Sequence, residues 1–244
     1  VAGILYPCEI AWDKLACLVN RTNATIFVAT SDSPLVNKYN DKISPQSMFV
    51  VNQSMLHEKI TKHIPWIHKK NNGRVFDKSC PNYCTAPYIM YRRFSLLHTL
   101  SSLTFDRVLI IRPDSSFSCR KVTEFVNSSI KKGLYYVPDY SRGPHAEYRG
   151  NKTCPQSIND QWLFGDIKTI TKILQAFPKL SKWYPEWNRK SNKDDWWDTR
   201  VNNRVRKGHF LLNTEGIYGK MIQELNINCI ISKQLFWNIK ICRK

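Results

Sequence analysis

The chain lacks any long apolar run: nothing in its 244 residues approaches the roughly 18–20 consecutive apolar residues of a membrane-spanning helix. It also lacks internal repeats and any Gly/Ser- or Pro-rich linker, which excludes a solenoid and gives no point at which to divide it. One domain over residues 1–244 is therefore expected. Acidic residues are scarce, with 19 Asp+Glu against 37 Lys+Arg and a net charge of +18. Such a surface draws polyanions, anionic membranes or phosphorylated ligands without choosing among them. The basic residues are scattered, and no Arg/Gly-rich segment or basic tail is present, so nucleic acid is not the expected partner. "CPNYC" (Cys80, Cys84) has no second Cys/His pair of matching spacing, which argues against a zinc site. No signal peptide is visible. The first residue is Val1, and an N-terminal targeting or anchor segment is expected to have been removed, leaving membrane contact only through such an anchor.

What is present points to a folded, oxidised protein. Hydrophobic residues make up 42% and aromatics 12%, enough for one sizeable core. The eight cysteines are even in number, although spacing leaves their pairing open. Sequons begin at Asn20, Asn23, Asn52, Asn127 and Asn151, which become glycosylation candidates. Together these features favour the secretory-pathway lumen, such as the Golgi, or the cell exterior.

Strand and helix signals alternate. "AGILYP", "TIFVAT" and "SMFVVN" read as short strands. From Tyr88 to Leu103, Met90, Phe94, Leu97 and Leu100 recur at helical spacing after Pro87. Phe105-Asp106 breaks that pattern. Val108–Ile111 is then a continuous aliphatic run, as a strand buried on both faces should be. "GLYYVP" is another strand. Ile167, Ile170, Leu174 and Phe177 mark a helix stopped by Pro178, a further helix spans about Glu215–Leu225, and "NCIIS" is a late strand. The alternation favours an α/β layer architecture. Residues 179–209 form an irregular Trp-rich segment, either a lid or binding loop or a loop whose aromatics patch the core.

Three constellations carry possible chemistry. In open α/β sheets ligands sit at the carboxyl ends of strands, where Arg112 and Asp114 follow Val108–Ile111. Residues i and i+2 point to one side, and Pro113 between them suits a strand end. Asp114 offers an oxygen for Mg²⁺ or Mn²⁺, and Arg112 offers a fork for phosphate or for Asp114 itself. The alternative is an Asp-Ser turn that ends a strand. In "INDQWLFGD", Asp160 stands beside an aromatic and before a buried stretch, placed either as a proton acceptor or as a loop residue bonding local backbone. Asp166 suits a helix N-cap. In "GHFLLNTEGIYG", His209 is a metal or phosphate contact or a structural histidine, and Glu215 suits the first turn of a helix.

The order of these pieces resembles a group of small GT-A glycosyltransferases of algal viruses, algae and bacteria, whose metal motif reads R-P-D rather than D-x-D. The resemblance rests on "TIFVATSDS", "YRRFSLLHTL", "FDRVLIIRPDSSF", "YYVPD", "INDQWLFGD" and "LNTEGIYG", and spans about Ile26 to Leu225. It implies a GT-A-like (Rossmann-like) mixed central sheet flanked by helices. It also implies a nucleotide-sugar donor, a glycan or glycoprotein acceptor, and Mn²⁺ or Mg²⁺ bridging the diphosphate to Asp114. Arg112, Asn159 and His209 fall on the donor and diphosphate side. Asp160 becomes the acceptor-side base if the enzyme inverts, with Asn159 positioning it, and Trp196 and Trp197 become sugar-stacking residues. Arg112 stands where the common motif has an acid, which puts the metal's ligand number in question. A soluble virus-encoded member of the group would be cytoplasmic. The competing expectation is a secreted, disulfide-stabilised basic protein that binds acidic glycans or nucleic acid.

Overall fold

The computed structural model describes residues 1–3, 5–63, 86–100, 105–128, 131–136, 162–183, 186, 214–231 and 239–241. The elements, in order, are α1 (Glu9–Thr22), β1 (Phe27–Ser31), α2 (Leu35–Ile43), β2 (Ser47–Val51), α3 (Gln53–His63), α4 (Ala86–Ser95), α5 (Leu97–Leu100), β3 (Arg107–Ile111), β4 (Ser115–Phe117), α6 (Cys119–Asn127), β5 (Leu134–Tyr136), β6 (Trp162–Asp166), α7 (Ile167–Gln175), a 3₁₀ turn (Phe177–Lys179), α8 (Thr214–Glu224), β7 (Cys229–Ile231) and β8 (Ile239–Ile241).

β1 and β2 pair in parallel, and a second set runs β3-β6-β5-β7. Residues 1–3 join the two. The Ala29 N–H donates to Val1 C=O, the Gly3 N–H to Ala29 C=O, and the Ala2 N–H to Ile111 C=O. The short segment therefore lies between β1 and β3. It runs parallel to β1. From Ala2 to Gly3 its neighbour changes from Ile111 to Pro113, so it also runs with β3. β6 pairs antiparallel with both β3 and β5, and β5 pairs in parallel with β7. The spatial order is thus β2, β1, residues 1–3, β3, β6, β5, β7, with β6 opposed to the rest. This is a mixed sheet of Rossmann-like character.

Side-chain alternation explains the layers. Along the strands, Ala29, Ile110, Leu134 and Leu163 enter one core with α3, α4, α7 and α8. Their neighbours Val28, Ile111, Tyr135, Trp162 and Phe164 enter the other, with α1, α2 and α6. A sheet buried on both faces requires near-continuous apolar strands, which is what Val108–Ile111 and Trp162–Phe164 supply. The expected mixed central sheet flanked by helices is present.

Some boundaries differ from expectation. The helix expected from Tyr88 to Leu103 is broken at Leu96. There the Leu96 N–H bonds Arg93 C=O with three-residue spacing, and Ser95 Oγ donates to Arg92 C=O at 2.7 Å. A serine bonding its own helix backbone competes with the helical ladder. "WLFGD" is a full strand, β6, rather than an apolar patch before a helix. Gly165 permits its pairing: a Cβ there would meet Gly133 C=O at 2.6 Å. Asp166 caps α7 as expected, accepting from Thr169 N–H at 2.9 Å, Thr169 Oγ1 at 2.8 Å and Gly133 N–H at 2.8 Å. Burial opposes its charge, but these donors outweigh it and hold the carboxyl below its usual range. One disulfide, Cys17–Cys119, ties α1 to α6, and Cys8 is also disulfide-bonded.

Candidate functional site

The strand order reverses between residues 1–3 and β3. In open α/β sheets the crevice at such a reversal, at the carboxyl ends of the strands, is where ligands bind. Gly3 ends one of these two strands and Arg112-Pro113-Asp114 follows the other. The two meet: a Cβ added at Gly3, whose φ is +157°, would come within 2.8 Å of Pro113 Cδ. A side chain at Gly3 would therefore displace the motif, on a backbone already unfavourable for any residue but glycine.

The motif itself is a tight turn. The Ser115 N–H donates to Arg112 C=O at 3.2 Å, with Pro113 at the second position, where its fixed φ favours a turn. The chain then leaves the main sheet as β4, which pairs with β8. Within the turn, Arg112 Nε donates to Asp114 Oδ1 at 2.9 Å and Arg112 Nη2 to Asp114 Oδ2 at 2.8 Å. The Asp114 side chain is 1% exposed and that of Arg112 11%. This is a fork-to-fork pair, the strong form of arginine–carboxylate bond. Ser115 Oγ, next in the chain, is buried and has no hydrogen-bond partner among the described residues. The disulfide at Cys119 anchors the chain just beyond this turn to α1.

Two further arginines are buried on α4, one of them reaching the carboxyl end of β1. Arg92 and Arg93 of α4 are 1% and 0% exposed. Arg92 donates through Nε and Nη2 to Ser31 Oγ, at the carboxyl end of β1. Arg93 lies 5.2 Å from the centre of the Tyr218 ring on α8. β1 and β3 are two strand spacings apart, about 10 Å. The sequence signal for these arginines was present: Arg93 stands three residues after Met90 on an apolar-phased helix, and a cation on a core face needs a partner or a ligand.

Arg112 and Asp114 are the predicted site residues that the structure brings together. Asp160, Asn159, His209, Trp196, Trp197 and Asn151 lie outside the described residues, as do Cys80 and Cys84. Glu215 falls in the first turn of α8. Asn20, Asn23, Asn52 and Asn127 are exposed, and Asn23 caps the end of α1 in the left-handed region.

The Mn²⁺ or Mg²⁺ implied by the resemblance finds no complete donor set among the described residues. Both oxygens of Asp114 are held by Arg112, and the described residues hold no group of three His, Cys, Asp or Glu that could bind a metal. A dication sharing this carboxylate would sit roughly 5 Å from a fixed guanidinium and meet roughly 7 kcal/mol of repulsion at an effective dielectric near 20.

A cavity of about 230 Å³ opens at the amino ends of β1 and β3, walled by Leu18, Phe27, Leu100, Val108 and Phe164. Its described lining has no carboxylate or imidazole, so the chemistry is assigned to the opposite end of the sheet.

No family model matches the chain, and no curated protein does. Among solved structures it is similar to the galactosyltransferase LgtC in complex with donor and acceptor sugar analogues. Identity is 10% and the TM-score 0.42, over 94% of this chain and 72% of that one. No residue role is taken from so distant a likeness.

Proposed function

We propose that the chain is a GT-A-type glycosyltransferase that moves a sugar from a nucleoside-diphosphate donor to a hydroxyl of a glycan or glycoprotein. The observation that carries this reading is the buried Arg112–Asp114 pair at the carboxyl end of β3, beside the reversal of strand order. In such a site the diphosphate of the donor faces fixed N–H donors, which stabilise the leaving group as the glycosidic bond breaks. The resemblance puts Asp160 in the role of base, accepting the proton of the attacking hydroxyl, with Asn159 positioning it. It puts Trp196 and Trp197 against the apolar faces of the sugars, and His209 toward the diphosphate. No step is assigned to a metal. The Cys17–Cys119 disulfide supports the lumen of the secretory pathway as the place of action.

The test is hydrolysis or transfer from a panel of nucleotide sugars. At least one should be consumed, Asp114→Asn should suppress the reaction, and Asp160→Asn should abolish transfer while sparing donor binding. No turnover with any donor, together with no shift in melting temperature on adding any nucleotide, would sink the enzyme reading. The +18 charge and the disulfide favour a second reading, a basic binding protein for acidic glycans. It predicts salt-dependent binding of a sulfated or uronic-acid glycan and no effect of Asp114→Asn.

A further inference from the structure

We infer that the cavity between β1 and β3 is a strand seat: it takes an extended, apolar stretch of chain that runs parallel to both strands and joins the amino side of Val1. The seat is independent of the sugar-transfer reading. Chain entering there arrives at the end of the sheet opposite the Arg112-Pro113-Asp114 turn.

The backbone of the sheet defines the occupant. Residues 1–3 bond β3 only at its last residue, Ile111, whereas β3 starts at Arg107. Successive residues of a strand turn their N–H and C=O groups to opposite edges. Ile111 C=O accepts from Ala2 N–H at 3.0 Å, so Ile111 and Leu109 face this slot while Val108 and Ile110 face β6. On the other side Phe27 and Ala29 face it, since Val1 donates to Phe27 C=O and Ala29 N–H donates to Val1 C=O. The Leu109 N–H and C=O, the Ile111 N–H and the Phe27 N–H therefore point into the slot, with no hydrogen-bond partner among the described residues. A residue joined to Val1 donates to Leu109 C=O and accepts from Ile111 N–H. The residue before that accepts from Phe27 N–H. Both bonds continue the parallel ladder set by Ala2 and Ala29. A hydrocarbon ligand would fill the same space and leave these groups unpaired, which buried backbone rarely is.

The side chains ask for the same occupant. Ala2 enters the core of Leu96 and Leu100, and Val1 packs on that of Leu15 and Leu18. All four leucines line the cavity, so the alternating side chains of a continued strand meet apolar walls on both faces. At roughly 3.3 Å per residue, about three residues fill the slot before the start of β3. The volume of about 230 Å³ exceeds the roughly 150 Å³ that accepts a benzene ring in an apolar core, so it has room for several such side-chain groups. The Val1 amine also lines the cavity. Burial, with the Arg93 charge second, pushes it down to about 5. As a peptide N–H it makes the same bond to Phe27 C=O with no charge to desolvate.

The experiment compares amide hydrogen exchange and thermal melting of three proteins: the 244-residue chain, the same chain preceded by Val-Ile-Val, and the same chain preceded by Gly-Ser-Pro. Both extensions turn the Val1 amine into an amide. The proline beside Val1 has no N–H for Leu109 C=O, and Gly-Ser leaves the apolar walls uncovered. Val-Ile-Val should slow exchange at the Leu109, Ile111 and Phe27 amides by about tenfold or more, relative to Val108 and Ile110, which already face β6. It should also give the highest melting temperature of the three. Gly-Ser-Pro should leave those amides exchanging as in the unextended chain. Equal rates in all three proteins would overturn the inference, as would equal slowing by both extensions. A melting temperature no higher with Val-Ile-Val than with Gly-Ser-Pro would overturn it too, and that comparison holds even if the unextended chain is too unstable to measure.

Discussion

Breaking the Arg112–Asp114 pair from one side should cost far more than breaking it from both. Two charge-assisted bonds of 2.8 and 2.9 Å hold a carboxylate that is 1% exposed. Removing one member of a buried ion pair strands the other charge and costs about 3–5 kcal/mol. Arg112 retains some exposure, which places Asp114→Ala near the lower end, about 3 kcal/mol. In a chain of this length that corresponds to a melting temperature lower by roughly 6–12 °C. Arg112→Met should cost a similar amount, because it removes both charge-assisted bonds from a buried carboxylate. The double variant removes both charges, so its cost should fall short of the sum by about 2 kcal/mol or more. Urea denaturation of the four proteins, at fixed pH and salt, measures this coupling. Additivity within about 0.5 kcal/mol would show that the pair is not a coupled unit and would remove the basis for treating Arg112 as clamped.

Three other consequences follow from the packing. Replacing Cys17 and Cys119 by alanine opens a closed loop of sequence separation 102 and should lower stability by about 4.7 kcal/mol on the chain-entropy account, measured by denaturation of the variant beside the unsubstituted protein. Asp166→Ala should cost about 1 kcal/mol as a lost N-cap. Because the folded carboxyl lies below its usual range, that contribution is present above pH 4 or so and fades as pH falls through the folded value; the wild-type and variant pH–stability curves should therefore converge in acid. Curves that stay parallel to the lowest pH would refute the cap's electrostatic part. Tyr39→Phe should leave stability unchanged or raise it by about 1 kcal/mol, because the Tyr39 hydroxyl is buried with no hydrogen-bond partner among the described residues; a clear loss by thermal melting would mean the hydroxyl is satisfied.

The sequence made legible whatever depends on local pattern. Val108–Ile111 is a buried strand because an unbroken aliphatic run fits no half-exposed element, and Asp166 caps α7 because a short acid precedes an amphipathic repeat. Arg112 and Asp114 share a side by strand periodicity, so their meeting was implied as well. Their bidentate closure was not, because it depends on the turn from Arg112 to Ser115, whose geometry depends on where β4 goes. Residues that act through distant partners stayed hidden. The seat of residues 1–3 between β1 and β3 is made by strands far along the chain, and nothing local announces it. "WLFGD" gives no sign that it runs against its neighbours, since antiparallel pairing is decided by β3 and β5. Helix α1 lacked an expectation although Trp12, Leu15 and Leu18 recur at helical spacing. Arg93 stands in helical phase with Met90, but among 37 basic residues that signal was easily passed over, and the packing of α4 shows both Arg92 and Arg93 buried.

The most direct test of the central claim is a crystal structure with a nucleoside diphosphate bound. The account predicts diphosphate density at the carboxyl end of β3, with phosphate oxygens about 2.7–3.2 Å from Arg112 nitrogens. Nucleotide bound elsewhere, such as the apolar cavity at the amino ends of β1 and β3, with no contact to residues 112–115, would contradict it.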